Sequence, residues 1–118
     1  MPLVLLAISC LGGCLSFGPD DDPNFPVDLY VDMADSDVKM AVDTMQIALE
    51  TGSDGAVATW TNLDTGNSGR IQPLRTYQTE RGYFCRDFLE ILNVGGRTAS
   101  YDNHACRDDD GVWRFFDD

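Results

Sequence analysis

The chain has 118 residues, enough for one small domain with an adequate core and little reserve. Twenty acidic residues against eight lysines and arginines leave a formal net charge of −12. That balance argues against nucleic acid or an anionic membrane surface as a direct electrostatic partner and favours cationic ones, although a solvated acidic surface is the plainer reading.

Taken in chain order, residues 1–13 read as a lipoprotein-type signal peptide: a short apolar run with a small-residue ending. The run is too short to be read as a spanning helix. Leu11-Gly12-Gly13-Cys14 resembles a bacterial lipobox, which makes Cys14 the expected lipidation site and mature N-terminus. Leu15 after it, by likeness to proteobacterial lipoproteins, fits sorting to the outer membrane. Cys10 is a poorer candidate because too little apolar chain precedes it. No Lys or Arg precedes the apolar run, a departure from the usual positive n-region. The other reading of Met1 to Phe17 is a buried or interfacial hydrophobic end.

Residues 14–34 read as an acidic tether, since prolines and aspartates deny the stretch from Gly18 to Pro26 regular structure. Asp20-Asp21-Asp22 lacks the alternating spacing that wraps ligands around calcium. The folded domain is expected over 35–118. A helix should start at Asp35 or Ser36, either of which could cap it, and Gly52 should end it. Val38, Ala41, Val42, Met45, Ala48 and Leu49 recur at helical spacing and form its apolar face. Beyond Gly55 the period becomes that of strands: Ala56–Thr61, a turn at Asn62–Asn67, Ser68–Gln72, a break at Pro73 that suggests an edge or a kink, and Leu74–Thr79.

Tyr83 to Cys106 reads as one long β-hairpin with Gly95-Gly96 at its tip, because two glycines supply the positive φ angles of a primed turn. With Val94 opposite Arg97, nine steps down the ladder place Cys85 opposite Cys106 in a non-hydrogen-bonded pair, a geometry compatible with a disulfide. A Cys85–Cys106 disulfide in an oxidising compartment is therefore expected. A bulge at Asp102-Asn103-His104 would shift that register. Tyr83, Cys85, Asp87, Leu89 and Ile91 share one face of the first strand, and Phe84, Arg86, Phe88, Glu90 and Leu92 the other. Both faces carry apolar groups, so the strand should be central, and periodicity leaves open which face meets the helix. After Asp108–Gly111 a short strand over Val112–Phe116 closes the chain. The expected fold is α+β: one amphipathic helix packed on an antiparallel β-meander of about five strands.

The run from Ala48 to Trp113 carries Ala48-Leu49-Glu50-Thr51, Trp60-x-Asn62, Thr65-Gly66-Asn67-x-Gly69, Pro73 and Thr76-Tyr77, followed by Gly82-x-x-Cys85-Arg86-x-Phe88, Gly95-Gly96, Tyr101, Ala105-Cys106-Arg107 and Asp110-Gly111-x-Trp113. In its order and spacing this pattern resembles the rickettsial seventeen-kilodalton surface antigen family of small outer-membrane lipoproteins. Two departures stand out. The glycine-rich, membrane-active segment of many relatives is replaced by the acidic tether, and Asn103 stands where relatives commonly have Gly. The resemblance implies an envelope protein held to the outer membrane by an N-terminal lipid, and implies no reaction or ligand; an envelope partner is expected with that role, and the net charge adds a cationic protein partner.

Other readings are tied to single features. The acidity suggests an inhibitor or sequestering protein for a cationic enzyme such as lysozyme. The hairpin register sets Asp87 opposite His104, a pair that could orient a catalytic histidine, but no nucleophile is identifiable beside it. No enzyme activity is expected. Nor is a cofactor or metal, since neither cysteine pair has C-x-x-C spacing and the chain has one histidine. The methionines read as packing residues. Trp60, Tyr77, Tyr101 and Trp113 are mostly core candidates that would mark a binding face if exposed together.

Overall fold

The computed structural model describes residues 28–115. A single 3-10 turn, Leu29–Asp32, leads into helix α1, Asp35–Thr51. Five strands follow: β1 Ala58–Thr61, β2 Ser68–Gln78, β3 Phe84–Val94, β4 Arg97–Arg107 and β5 Trp113–Phe115. They form one antiparallel sheet in sequence order, the expected meander, and α1 packs on one face of it.

The β3–β4 hairpin sets the frame. Gly95 and Gly96 lie at φ 60° and 80°, the left-handed values a two-residue primed turn demands. From Val94 opposite Arg97 the ladder runs unbroken to Cys85 opposite Cys106, with no bulge at Asp102–His104. Asn103 sits in that regular ladder opposite Phe88.

The register shift in the sheet lies instead at Pro73, inside β2. Sequence reading splits this segment in two, yet the strand runs through. Strand β1 ends at Ala58 opposite Ile71, so the outer side of β2 is open beyond that point. The Pro73 carbonyl accepts from Gly55 N–H, which turns the proline backbone toward that open side, where the ladder to β3 asks for no donor.

On β3 the face toward α1 is Arg86, Phe88, Glu90, Leu92 and Val94, all buried. Its core falls into two clusters. Met45, Ala48 and Leu49 of α1 meet Ile71, Phe88, Ala105 and Trp113 at one end. Ala41 meets Leu29, Trp60, Leu92 and Val94 at the other. The Trp60 indole lies across Gly69, where an added Cβ would come within 2.4 Å of its Nε1. Val42, expected on the apolar face of the helix, is 42% exposed. The reason is the placement of α1, which packs on β1, β2 and β5 and leaves part of β3 and β4 to the 3-10 turn. That turn belongs to the stretch read as tether; Leu29 is buried, and its N–H donates to the Tyr101 hydroxyl at 2.9 Å.

Candidate functional site

The expected lipidation site, Cys14, lies outside the described residues. Cys85 and Cys106 are joined by a disulfide with Cα atoms 4.0 Å apart, on the sheet face opposite α1. Asp87 and His104 pair across the strands on that same face. The Asp87 carboxylate is already engaged, accepting from Arg75 Nε at 3.0 Å, and the Arg75 guanidinium stacks 4.4 Å above the Tyr77 ring. Trp60 and Trp113 are core residues, while Tyr77 and Tyr101 are half-buried.

Three buried ionic groups line the helix side of the sheet; sequence reading assigned a role to none of them, although Arg86 stands in the shared pattern. The first is Asp37, fully buried in the first turn of α1. Its Oδ2 accepts from Ala34 N–H at 2.9 Å and Asn67 Nδ2 at 2.8 Å, and its Oδ1 from Asn62 Nδ2 at 2.8 Å and Thr65 Oγ1 at 2.7 Å. The cap of α1 is thus this carboxylate reaching back to Ala34; the hydroxyl of Ser36 instead accepts from Asn62. The Asn67 side chain also accepts from Gly95 N–H at the hairpin tip. One carboxylate therefore ties the helix start to the β1–β2 turn, and through Asn67 to the β3–β4 turn. Burial alone would raise its pKa, but the bonds from Thr65, Asn67, Ala34 and Asn62 outweigh that and hold it below the ordinary 3.8.

Arg86 of β3 serves the other end of α1. It donates to the carbonyls of Leu49 at 2.8 Å and Gly52 at 2.7 Å, and pairs with Asp54 at 2.7 Å. A guanidinium there satisfies orphan carbonyls and complements the negative end of the helix. Gln46 and Glu50 of the same helix hold β5. The Gln46 side chain bonds both the N–H and the carbonyl of Trp113, and Glu50 accepts from Trp113 Nε1 and Arg107 Nε, each at 2.9 Å. Together they cover the edge strand.

Glu90 is the third. It is 2% exposed and, among the described residues, accepts a hydrogen bond from the Tyr30 hydroxyl, 2.5 Å from Oε2. Burial raises its pKa above the ordinary 4.5, and the Tyr30 bond offsets only part of that. Burial and the neighbouring Glu90 also raise the Tyr30 phenol. Glu90 lies in a cleft of about 360 Å³ between α1, the 3-10 turn and β4, walled by Ala41, Val42, Met45 and Phe115, with Tyr101 and Asn103 beside it. Among the described residues no set of three or more His, Cys, Asp or Glu side chains is placed to hold a metal ion, and no helix is long and apolar enough to cross a membrane.

A helix capped at its start by its own Asp37 and at its end by Arg86 of the sheet, over a disulfide-stapled meander, defines a small α+β scaffold whose polar constellations are mostly spent on holding the fold. The chain belongs to the family of 17 kDa outer membrane surface antigens, whose sequence profile matches residues 47–114. It is 37% identical over 82 residues to the 17 kDa surface antigen of Rickettsia conorii, covering 70% of this chain and 52% of that one. The corresponding antigen of Rickettsia felis is 35% identical over the same length, and that of Rickettsia australis 37% identical over 79 residues, 67% of this chain and 51% of the relative. The chain thus spans about half the length of the curated relatives it matches. No solved structure matches it.

Many residues of the shared pattern have a folding role here. Asn62, Thr65 and Asn67 bind Asp37, Trp60 packs on Gly69, Arg86 caps the helix, and Ala48, Leu49 and Trp113 fill the core.

Proposed function

We propose that this is a lipid-anchored outer-membrane protein, attached through Cys14, whose domain serves envelope structure or protein interaction rather than catalysis. The observation that carries the reading is membership of the surface antigen family in a chain that has a lipobox-like Leu11-Gly12-Gly13-Cys14 ahead of the matched domain. The disulfide supports it, since such bonds persist in the oxidising compartments outside the cytoplasm. Two or more acyl chains would hold the protein stably at the membrane, which one chain does not. The domain then needs no apolar segment of its own to stay there.

The test is the intact mass of the protein purified from the membranes of its own host, before and after reduction. Expected is a chain beginning at an acylated Cys14, with a small mass increase on reduction of the Cys85–Cys106 bond. A chain that keeps residues 1–13 and carries no acyl group would sink the anchored reading.

A further inference from the structure

The cleft at Glu90 has a chemistry that the fold does not use. Asp37 has four hydrogen bonds, and Asp54, Glu50 and Asp87 each pair with an arginine. Glu90, more buried than those three paired acids, has Tyr30 alone among the described residues, and no Lys, Arg or His lines the cleft around it. Burying a carboxylate without a cation or several donors is costly, and the raised pKa of Glu90 expresses that cost. The walls offered by Val42, Met45 and Phe115 are apolar, and the volume suits a small ligand or one long side chain. Asp28 and Tyr101, the other titratable groups on the cleft beside Tyr30, are an acid and a phenol, so among the described residues no cationic side chain lines it.

We infer that the cleft between α1 and β4 binds a primary ammonium carried on an aliphatic stem, with Glu90 taking the charge and Val42, Met45 and Phe115 covering the methylenes. The stem gains from apolar contact as lysine stems do elsewhere, while the ammonium supplies the donors that Glu90 lacks. The net charge of −12 raises the local concentration of such cations without selecting a site for them. Selection comes from the cleft. The same chemistry is offered by a lysine side chain of a protein and by a free alkylamine.

The experiment is an amide-resolved NMR titration of the full chain in neutral detergent at physiological salt. The probes are n-butylammonium and N-acetyl-lysine N-methylamide, with n-butanol as the neutral control. Expected are saturable shifts at Glu90, Tyr101 and Met45 with both amines and none of that kind with butanol. Tighter binding of the lysine amide points to a protein lysine, and tighter binding of butylammonium to a free amine. Glu90→Gln keeps an acceptor for Tyr30 and changes the net charge by one, so it should weaken the amines at least about tenfold, whereas general attraction to an acidic protein would survive it. Val42→Trp, at a half-exposed position, should obstruct the cleft with Glu90 intact and abolish the shifts. Absence of saturable shifts in the wild type, equal shifts with butanol, or undiminished binding in either variant would overturn the proposal. None of these outcomes bears on acylation at Cys14.

Discussion

Two buried carboxylates on the helix side of this sheet, Asp37 and Glu90, are nearly equal in exposure and opposite in condition. Asp37 lies among short polar side chains of a tight turn and accepts four hydrogen bonds, two at each oxygen. Glu90 lies on the apolar face of a strand, between Phe88 and Leu92, and among the described residues accepts from Tyr30 alone. Burial pushes both toward the neutral form, and only at Asp37 do donors reverse it. The difference teaches that burial by itself does not decide what an acid is for. A saturated carboxylate is a joint of the fold, and a half-served one has capacity left for something outside it.

The comparison is most easily broken at Asp37. Asp37→Ala takes the acceptor from the buried amides of Asn62 and Asn67, uncaps α1 and loosens the hairpin tip, and should cost about 4 kcal/mol in chemical denaturation. A loss below about 1 kcal/mol would show that water substitutes for the carboxylate. Asn67→Ala removes one donor to Asp37 and the acceptor for Gly95 N–H, and should cost about 2 kcal/mol by the same measurement. Tyr30→Phe deletes the hydrogen-bond partner that Glu90 has among the described residues and should cost about 1.5 kcal/mol at neutral pH. That cost should shrink in a Glu90→Gln background, where the acceptor is neutral; an undiminished cost in the double mutant would mean that Tyr30 acts through packing.

Sequence reading recovers the meander and its central register because those rest on local chemistry. Gly95-Gly96 sets the turn, and the pairing of Cys85 with Cys106 follows by counting. Pro73 correctly marks an irregularity at an open edge, but whether a strand stops or bulges there depends on partners further along the chain. Both faces of β3 are partly apolar, so the face chosen by α1 is a tertiary fact. Asp37 is hidden for a different reason: in a chain with twenty acidic residues one more on a helix looks solvated, and its side-chain donors lie 25 to 30 residues away. A signal for it does exist, an acid at the third position of the helix and a turn that offers Asn62, Thr65 and Asn67 close together. Glu90 leaves a weaker trace, one acid on the alternating face of Phe88 and Leu92.

The smallest expected effect separates the two acids by sign. A carboxyl with a lowered folded pKa, as at Asp37, binds fewer protons folded than unfolded. Its stabilisation is present above the unfolded value of 3.8 and disappears as pH falls through the folded one. Glu90 has a raised folded pKa, so its contribution is present below the unfolded value of 4.5 and is lost as pH climbs through the folded value. Glu90→Gln removes that titration and keeps an acceptor for Tyr30. The variant should match the wild type near pH 4 and become more stable by about 1 kcal/mol at neutral pH, read from denaturation midpoints across that range. A variant less stable than the wild type at neutral pH would mean that the Glu90 carboxylate already has a cation or further donors in solution. An alkylammonium that fills the cleft should act in the opposite direction to the mutation's advantage, stabilising the wild type toward neutral pH and leaving the variant unmoved.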